Sequence, residues 1–298
     1  MSSELYDKLI LRMVFAIFLL AMIYLYRYFH KFLYPSSRNQ MFKGFDPHKN
    51  PADTIHYFSR ILGIAIIFSQ FSFSITNNIW LGMLDFFIQS CFMFFLYLGA
   101  IFILESITLY NFEYQDEIVK KNNFSYAIIC SVQALSLAYL IKTMFQVSQG
   151  SLLLFFFLWL FTIVIIGFAT RSYSLTSRLP FNQMVNQKDI GLAISYLGFF
   201  CGWSILIGSA LSDDLKGLGI SSYSIQVILK VLLSLIILPI FRKGLTVIFN
   251  IKIKEDLTQP ASCNLGQGIY EGTFFFSACL LTSIITGQIH FGSFYPVF

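Results

Sequence analysis

The sequence predicts an all-α polytopic membrane protein, with about eight transmembrane helices arranged as two tandem four-helix repeats. Three observations lead there. The 298 residues are 56% hydrophobic and only 12% charged, with a mean hydropathy of +0.70, whereas soluble domains carry roughly 25% charge. Eight stretches are long and apolar enough to cross a bilayer. A short pattern opens four of these stretches at near-regular intervals.

The stretches fall at about 10–30, 54–75, 79–110, 124–146, 151–171, 189–211, 223–250 and 267–288. Each meets the roughly 20 apolar residues that a spanning helix needs. None alternates with the period of two that a barrel strand requires; they are apolar nearly all round, as helices in lipid are. The first is preceded by Glu4, Asp7 and Lys8 and is followed by no small-residue cleavage site. It is therefore expected to stay as a helix and not to be removed as a signal. The third carries Asp85 and Glu105, and the seventh Lys230 and Pro239.

The recurring pattern is Asn or Asp, a small residue two places on, Ile at five and a small residue at thirteen. Its copies are Asn50, Ala52, Ile55, Gly63; Asn123, Ser125, Ile128, Ser136; Asp189, Gly191, Ile194, Gly202; and Asn264, Gly266, Ile269, Ser277. Asn and Asp are strong N-caps, and Pro51 after Asn50 suits a first helical position. The small residues lie on one helical face. In lipid, such residues let backbones approach closely. Gly63, Ser136, Gly198, Gly202 and Ser277 are the expected packing positions. Asn50 to Asp189 is 139 residues and Asn123 to Asn264 is 141. These offsets divide the chain into a first unit, 1–149, and a second, 150–298, related as a parallel repeat.

Loop charges set an orientation. Loops after the odd-numbered spans, with their flanks, hold 15 Lys and Arg residues, Arg60 among them; the opposite side holds 5. The positive-inside rule then places the long loops in the cytoplasm and both termini outside. The four pattern helices would point their N-termini at that face. Their free N–H groups, with Lys49, Arg60, Lys120, Lys121 and Lys188, would form an anion-attracting surface for lipid phosphate, a nucleotide or an anionic substrate; the alternative is that the positive loops serve topology and anionic-lipid attraction alone.

Candidate functional residues are those that lipid makes costly. A charge near a helix centre costs roughly 2.5–3.5 kcal/mol. Asp85, Glu105, Lys230 and Glu271 qualify, joined by the amides Gln89 and Gln226. Asp85 and Lys230 are expected to reach water at the outer surface; the alternative is a pair across the two units that forms a gate or ion-pathway element. Gln133 reads as interhelical glue. The five cysteines include no CxxC and read as small core residues. The four histidines show no ligand spacing. No metal site, cofactor fingerprint, nucleophile triad or phosphate loop is recognisable, so neither a cofactor nor an enzyme is expected. No basic cluster is dense enough for nucleic acid.

The second unit resembles the YjfL family of bacterial inner-membrane proteins, the domain-of-unknown-function 350 family. The likeness runs from Ser151 through the Asp189 to Gly202 segment, with Gly198 and Gly202 nine and thirteen places after the cap. It resumes at Lys254, Glu255 and Asp256 and continues from Asn264 to Thr286. The first unit fits more weakly, through Asn50-Pro-Ala and the run from Glu117 to Asn123. Departures are Asp189 for Asn, and Ser136 and Ser277 for Gly. The resemblance implies four spans per unit, outside termini and a bacterial inner membrane; it implies no activity. Two functions follow as expectations. One is a channel or transporter for an ion or small solute, with a polar path between the units lined by Asp85, Gln89, Gln226, Lys230 and Glu271. The alternative is a non-catalytic subunit, a homo-oligomer or a scaffold for other membrane proteins.

Overall fold

The computed structural model describes residues 2–37, 46–71, 79–173, 181–213, 219–249 and 265–291. Among them are eight long helices and no strand: α1 (Ser2–Leu33), α2 (Pro51–Phe68), α3 (Ile79–Thr108), α4 (Phe124–Ser148), α5 (Leu152–Arg171), α6 (Ile190–Leu211), α7 (Ile220–Ile248) and α8 (Leu265–Gly287). The protein is an all-helical, multi-pass membrane protein. Seven of the helices are long and apolar enough to span a bilayer. The expected eighth span, α2, falls short of that measure. It has 18 residues, and Asp53, His56 and Arg60 interrupt its apolar sequence.

Helix starts follow from local chemistry. The Asn50 side chain accepts from Asp53 N at 2.9 Å, Asn123 from Tyr126 N at 3.2 Å and Asp189 from Leu192 N at 3.1 Å. Each satisfies a first-turn donor that has no partner within its helix. Asn264, the fourth expected cap, lies outside the described residues. The turn between α4 and α5 uses Gln149 and Gly150 at positive φ, 49° and 87°, and Ser151 then caps α5. Asn122 and Lys188 also have positive φ, immediately before the caps Asn123 and Asp189.

The four pattern helices form a row, α2 on α4, α4 on α6, α6 on α8, and the α6–α8 contact is the most extensive. The odd-numbered helices flank this row. In α4 and α6, 72% of the apolar window is buried, against 17% in α1, so the core lies along the row and α1 lies at its margin.

The α6–α8 seam explains its own closeness. A Cβ on Gly198 would lie 2.1 Å from Gly272 O, and one on Gly268 would lie 2.1 Å from Gly191 O. Neither is a possible contact, so only glycine permits this approach. Gly202 faces Cys279 and Phe275. Ser277, expected on this seam, does not carry it. It is two residues from both Phe275 and Cys279, which at 3.6 residues per turn places it round the far side. Its copy of the pattern also leaves Gly266 and Thr273 exposed. The small residues that pack α8 are Gly268 and Gly272. Elsewhere, Gly63 makes room for Tyr97 of α3, and Ser136 lies 3.9 Å from Cys201 Sγ between α4 and α6.

Candidate functional site: a buried polar junction

Where α1 and α3 end and α2 and α4 begin, the apolar bundle contains ionisable side chains. His30, Asp53, His56, Arg60 and Cys130 are all fully buried or nearly so. Helical periodicity puts them there. Asp53, His56 and Arg60 are three and four residues apart, hence on one face of α2. Arg60 lies about 13 Å along the axis from Pro51, at 1.5 Å per residue. Cys130 is two turns into α4, and His30 is in the last turn of α1.

Arg60 organises the group. Its Nη2 forms an ion pair with Glu105 Oε1 and donates to Tyr34 Oη at 3.2 Å. Its Nη1 donates to the His56 carbonyl, and the guanidinium lies over the Tyr34 ring, 5.5 Å from its centre. Tyr34 Oη donates to Glu105 Oε2 at 2.5 Å. Tyr114 Oη donates to Asp53 Oδ1 at 2.6 Å. Burial pushes the Tyr34 and Tyr114 hydroxyls well above the ordinary phenol range, and Arg60 pulls only partly against it. Both therefore stay protonated donors at neutral pH. Their rings, 4.6 Å apart, cover the two imidazoles: His30 and Tyr34 are 4.9 Å apart, His56 and Tyr114 4.9 Å.

A cavity of about 570 Å³ lies against this cover, lined by Leu33, Tyr34, Glu105, Tyr110, Tyr114 and Tyr126 among others. A second, about 270 Å³, adjoins it through Tyr110 and is lined also by Thr108, Thr170, Arg171, Tyr173 and Tyr196. It lies between residues of the two halves of the chain. None of Asp85, Gln89, Gln226, Lys230 and Glu271 lines either cavity.

The candidate charge pair takes another form. Lys230 Nζ is 2.6 Å from Asp213 Oδ2 and 3.3 Å from Gly287 O, while Asp85 accepts from Gln89 Nε2 at 2.9 Å on an exposed face of α3. Lys230 is drawn to the ends of α6 and α8, where unpaired carbonyls and the negative ends of two helix dipoles favour a cation. Gln226 is buried one turn before it. Glu271, half-buried, accepts from Ser195 Oγ at 3.3 Å, and Tyr173 Oη donates to Ser195 Oγ at 3.2 Å. Gln133 Nε2 donates to Tyr196 Oη at 2.9 Å and ties α4 to α6. Of the candidates, Glu105 alone belongs to the junction.

The bases expected to attract anions are each engaged. Lys49 pairs with Asp46, Lys120 with Asp116 and Lys121 with Glu117. Lys188 donates to the Lys121 carbonyl, and Arg60 is turned inward to Glu105. Asn122 Oδ1 takes a further first-turn donor, Ala52 N, at 3.1 Å.

Sequence reasoning missed His30, Asp53, His56, Arg60 and Cys130 as a group. The available signal was the helical spacing of Asp53, His56 and Arg60, polar where the rest of the segment is apolar. By sequence alone Arg60 reads as one of the loop charges, and Cys130 as plain core.

Residues 4–145 match the family described as Domain of Unknown Function (DUF350). The match lies on the first half, which contains the junction, and not on the second half, where the resemblance was expected to be stronger. No curated protein and no solved structure matches the chain significantly.

Proposed function

We propose that the protein passes a small cation across the membrane as a channel or transporter, and that the polar junction of α1–α4 is the selective point of its path. The observation that supports this reading is the burial of His30, Asp53, His56 and Arg60, with Glu105 beside them, behind a cavity that ends on Tyr34 and Tyr114. Ionisable groups inside a membrane protein are costly and mark ion paths and relays. A structural ion pair alone would need Arg60 and Glu105. It would not need two imidazoles and a second carboxyl group, that of Asp53, beside them.

The expected path between the halves gives way to this one, because its five residues sit in three separate settings, described above. In this reading the long-loop face is cytoplasmic, and the cavity is the inner vestibule. Liposomes containing the purified protein provide the test, with fluorescent reporters of protons, alkali cations and divalent cations. Flux of at least one of these above protein-free liposomes, lost in Arg60→Met, is the expected result. No flux of any of them from monodisperse protein would overturn the reading.

A second reading, a subunit that docks other membrane proteins, is favoured by α1, whose apolar window is only 17% buried. A stoichiometric partner retained through mild-detergent purification would support it.

A further inference from the structure

We propose that His30, His56 and Asp53 form a binding site for one divalent first-row transition-metal ion of the Zn²⁺ class. The proposal rests on the reading of this junction as the functional site, but binding at equilibrium is separable from flux.

The three side chains come from two helices and each offers one ligand atom, all within 4.8 Å of one another. Ligands around a tetrahedral zinc, bonded at 2.0–2.1 Å, lie about 3.3 Å apart. Small side-chain rotations therefore close the set on an ion. Three protein ligands leave a further position open for water or for passage.

The unsatisfied atoms point the same way. His30 Nε2 and both ring nitrogens of His56 are buried without a hydrogen-bond partner. A buried polar atom left unpaired costs about 1–3 kcal/mol, and natural proteins leave few such atoms. Both histidines thus carry unpartnered nitrogens, and one ligand atom from each lies within 4.8 Å of the other and of the Asp53 carboxyl group, which is what a bound cation would satisfy.

The surrounding contacts match what metal ligands need. His30 Nδ1 lies 3.0 Å from Tyr26 Oη. With Nδ1–H donating to that oxygen, Nε2 presents its lone pair to the site. Outer partners of this kind orient ligating imidazoles. The Tyr114 hydroxyl holds Asp53 in the same way. Arg60 and Glu105 neutralise each other, so with neutral imidazoles the remaining charge is that of Asp53, and a dication is electrostatically welcome. The donor set of two imidazoles and a carboxylate suits Zn²⁺, Fe²⁺, Co²⁺ or Mn²⁺ and disfavours Ca²⁺ and Mg²⁺, which take oxygen, and Cu⁺, which takes sulfur. His56 also groups with Glu105 and Cys130. Glu105 is already held by Arg60 and Tyr34, so the ion is assigned to the first set.

The test uses full-length protein in detergent, stripped with a chelator and titrated with Co²⁺ and with Zn²⁺. One ion per chain is expected, with visible d–d bands for Co²⁺. His30→Gln and His56→Gln should each weaken binding by at least about tenfold, and Tyr26→Phe by about tenfold, the lower end of outer-shell effects. X-ray absorption of the Zn²⁺-loaded wild type should show two imidazoles, a readout that does not depend on any variant folding. Wild-type protein that binds neither ion stoichiometrically, or whose bound Zn²⁺ shows no imidazole, overturns the proposal. So does unchanged affinity in both histidine variants. Metal binding without flux would sink the transport reading and leave the site standing; flux of other cations without metal binding would do the reverse.

Discussion

The α2–α4 contact and the α6–α8 contact begin from the same sequence pattern and end in opposite chemistry. By the 139- and 141-residue offsets, Ala52, Ser59, Ala127 and Ser131 correspond to Gly191, Gly198, Gly268 and Gly272. In the second pair all four positions are glycine, and the backbones meet. In the first pair each has a Cβ, which excludes so close an approach. The same offsets relate Asp53 to Leu192, Arg60 to Phe199 and His56 to Ser195. One pair of helices closes on itself, and the other holds ionisable groups at its entrance. The two contacts thus differ both in closeness and in polarity.

The largest expected effect tests the polar pair. Arg60→Met leaves Glu105 buried and uncompensated, and removal of one partner of a buried pair costs about 3–5 kcal/mol. Unfolding in mixed micelles should show that loss, and Arg60→Met with Glu105→Met should recover most of it, because apolar residues replace a buried pair well. A single variant as stable as wild type would break the comparison at its polar end.

Next comes the glycine seam. Gly198→Ala forces a methyl into the Gly272 carbonyl, and overpacking of this kind costs about 1–3 kcal/mol. The reciprocal change, Ser59→Gly in α2, fills no space and should cost only about 0.5–1 kcal/mol through backbone entropy. Equal losses in the two variants, measured by the same unfolding assay, would show that the α6–α8 approach is no tighter than that of α2–α4. The smallest effect is a control. Gly244 in α7 has nothing within 4 Å of a built Cβ, so Gly244→Ala should stabilise by about 0.4–1 kcal/mol. A loss there would mean that α7 packs against something in the membrane.

Much of the framework was readable before any coordinates, because capping and hydropathy are local. Asn50, Asn123 and Asp189 act on donors three residues away, and a run such as 152–171 announces its own environment. The seam was only half readable. Gly198 and Gly202 face α8, but the pattern named Ser277 where Gly268 and Gly272 pack, since a fixed spacing cannot report the rotation of one helix about its axis. The junction was least readable. Its residues run from His30 to Cys130 on four helices, and only Glu105 declared itself, as a carboxylate inside an apolar run. His30 and Cys130 look unremarkable in their own segments and gain meaning only from the neighbours that folding brings to them.

The central claim is that function lies in the α1–α4 junction of the first half and packing in the α6–α8 seam of the second. Glu105 and Glu271 test it most directly, one membrane carboxylate in each half. Cation flux through liposomes should be compared for Glu105→Gln and Glu271→Gln, each normalised to monodisperse protein of checked thermal stability. The account predicts at least a tenfold loss for Glu105→Gln, about 1.4 kcal/mol or more on the barrier, with near wild-type flux for Glu271→Gln. Full flux in Glu105→Gln, or an equal loss in Glu271→Gln, would contradict it.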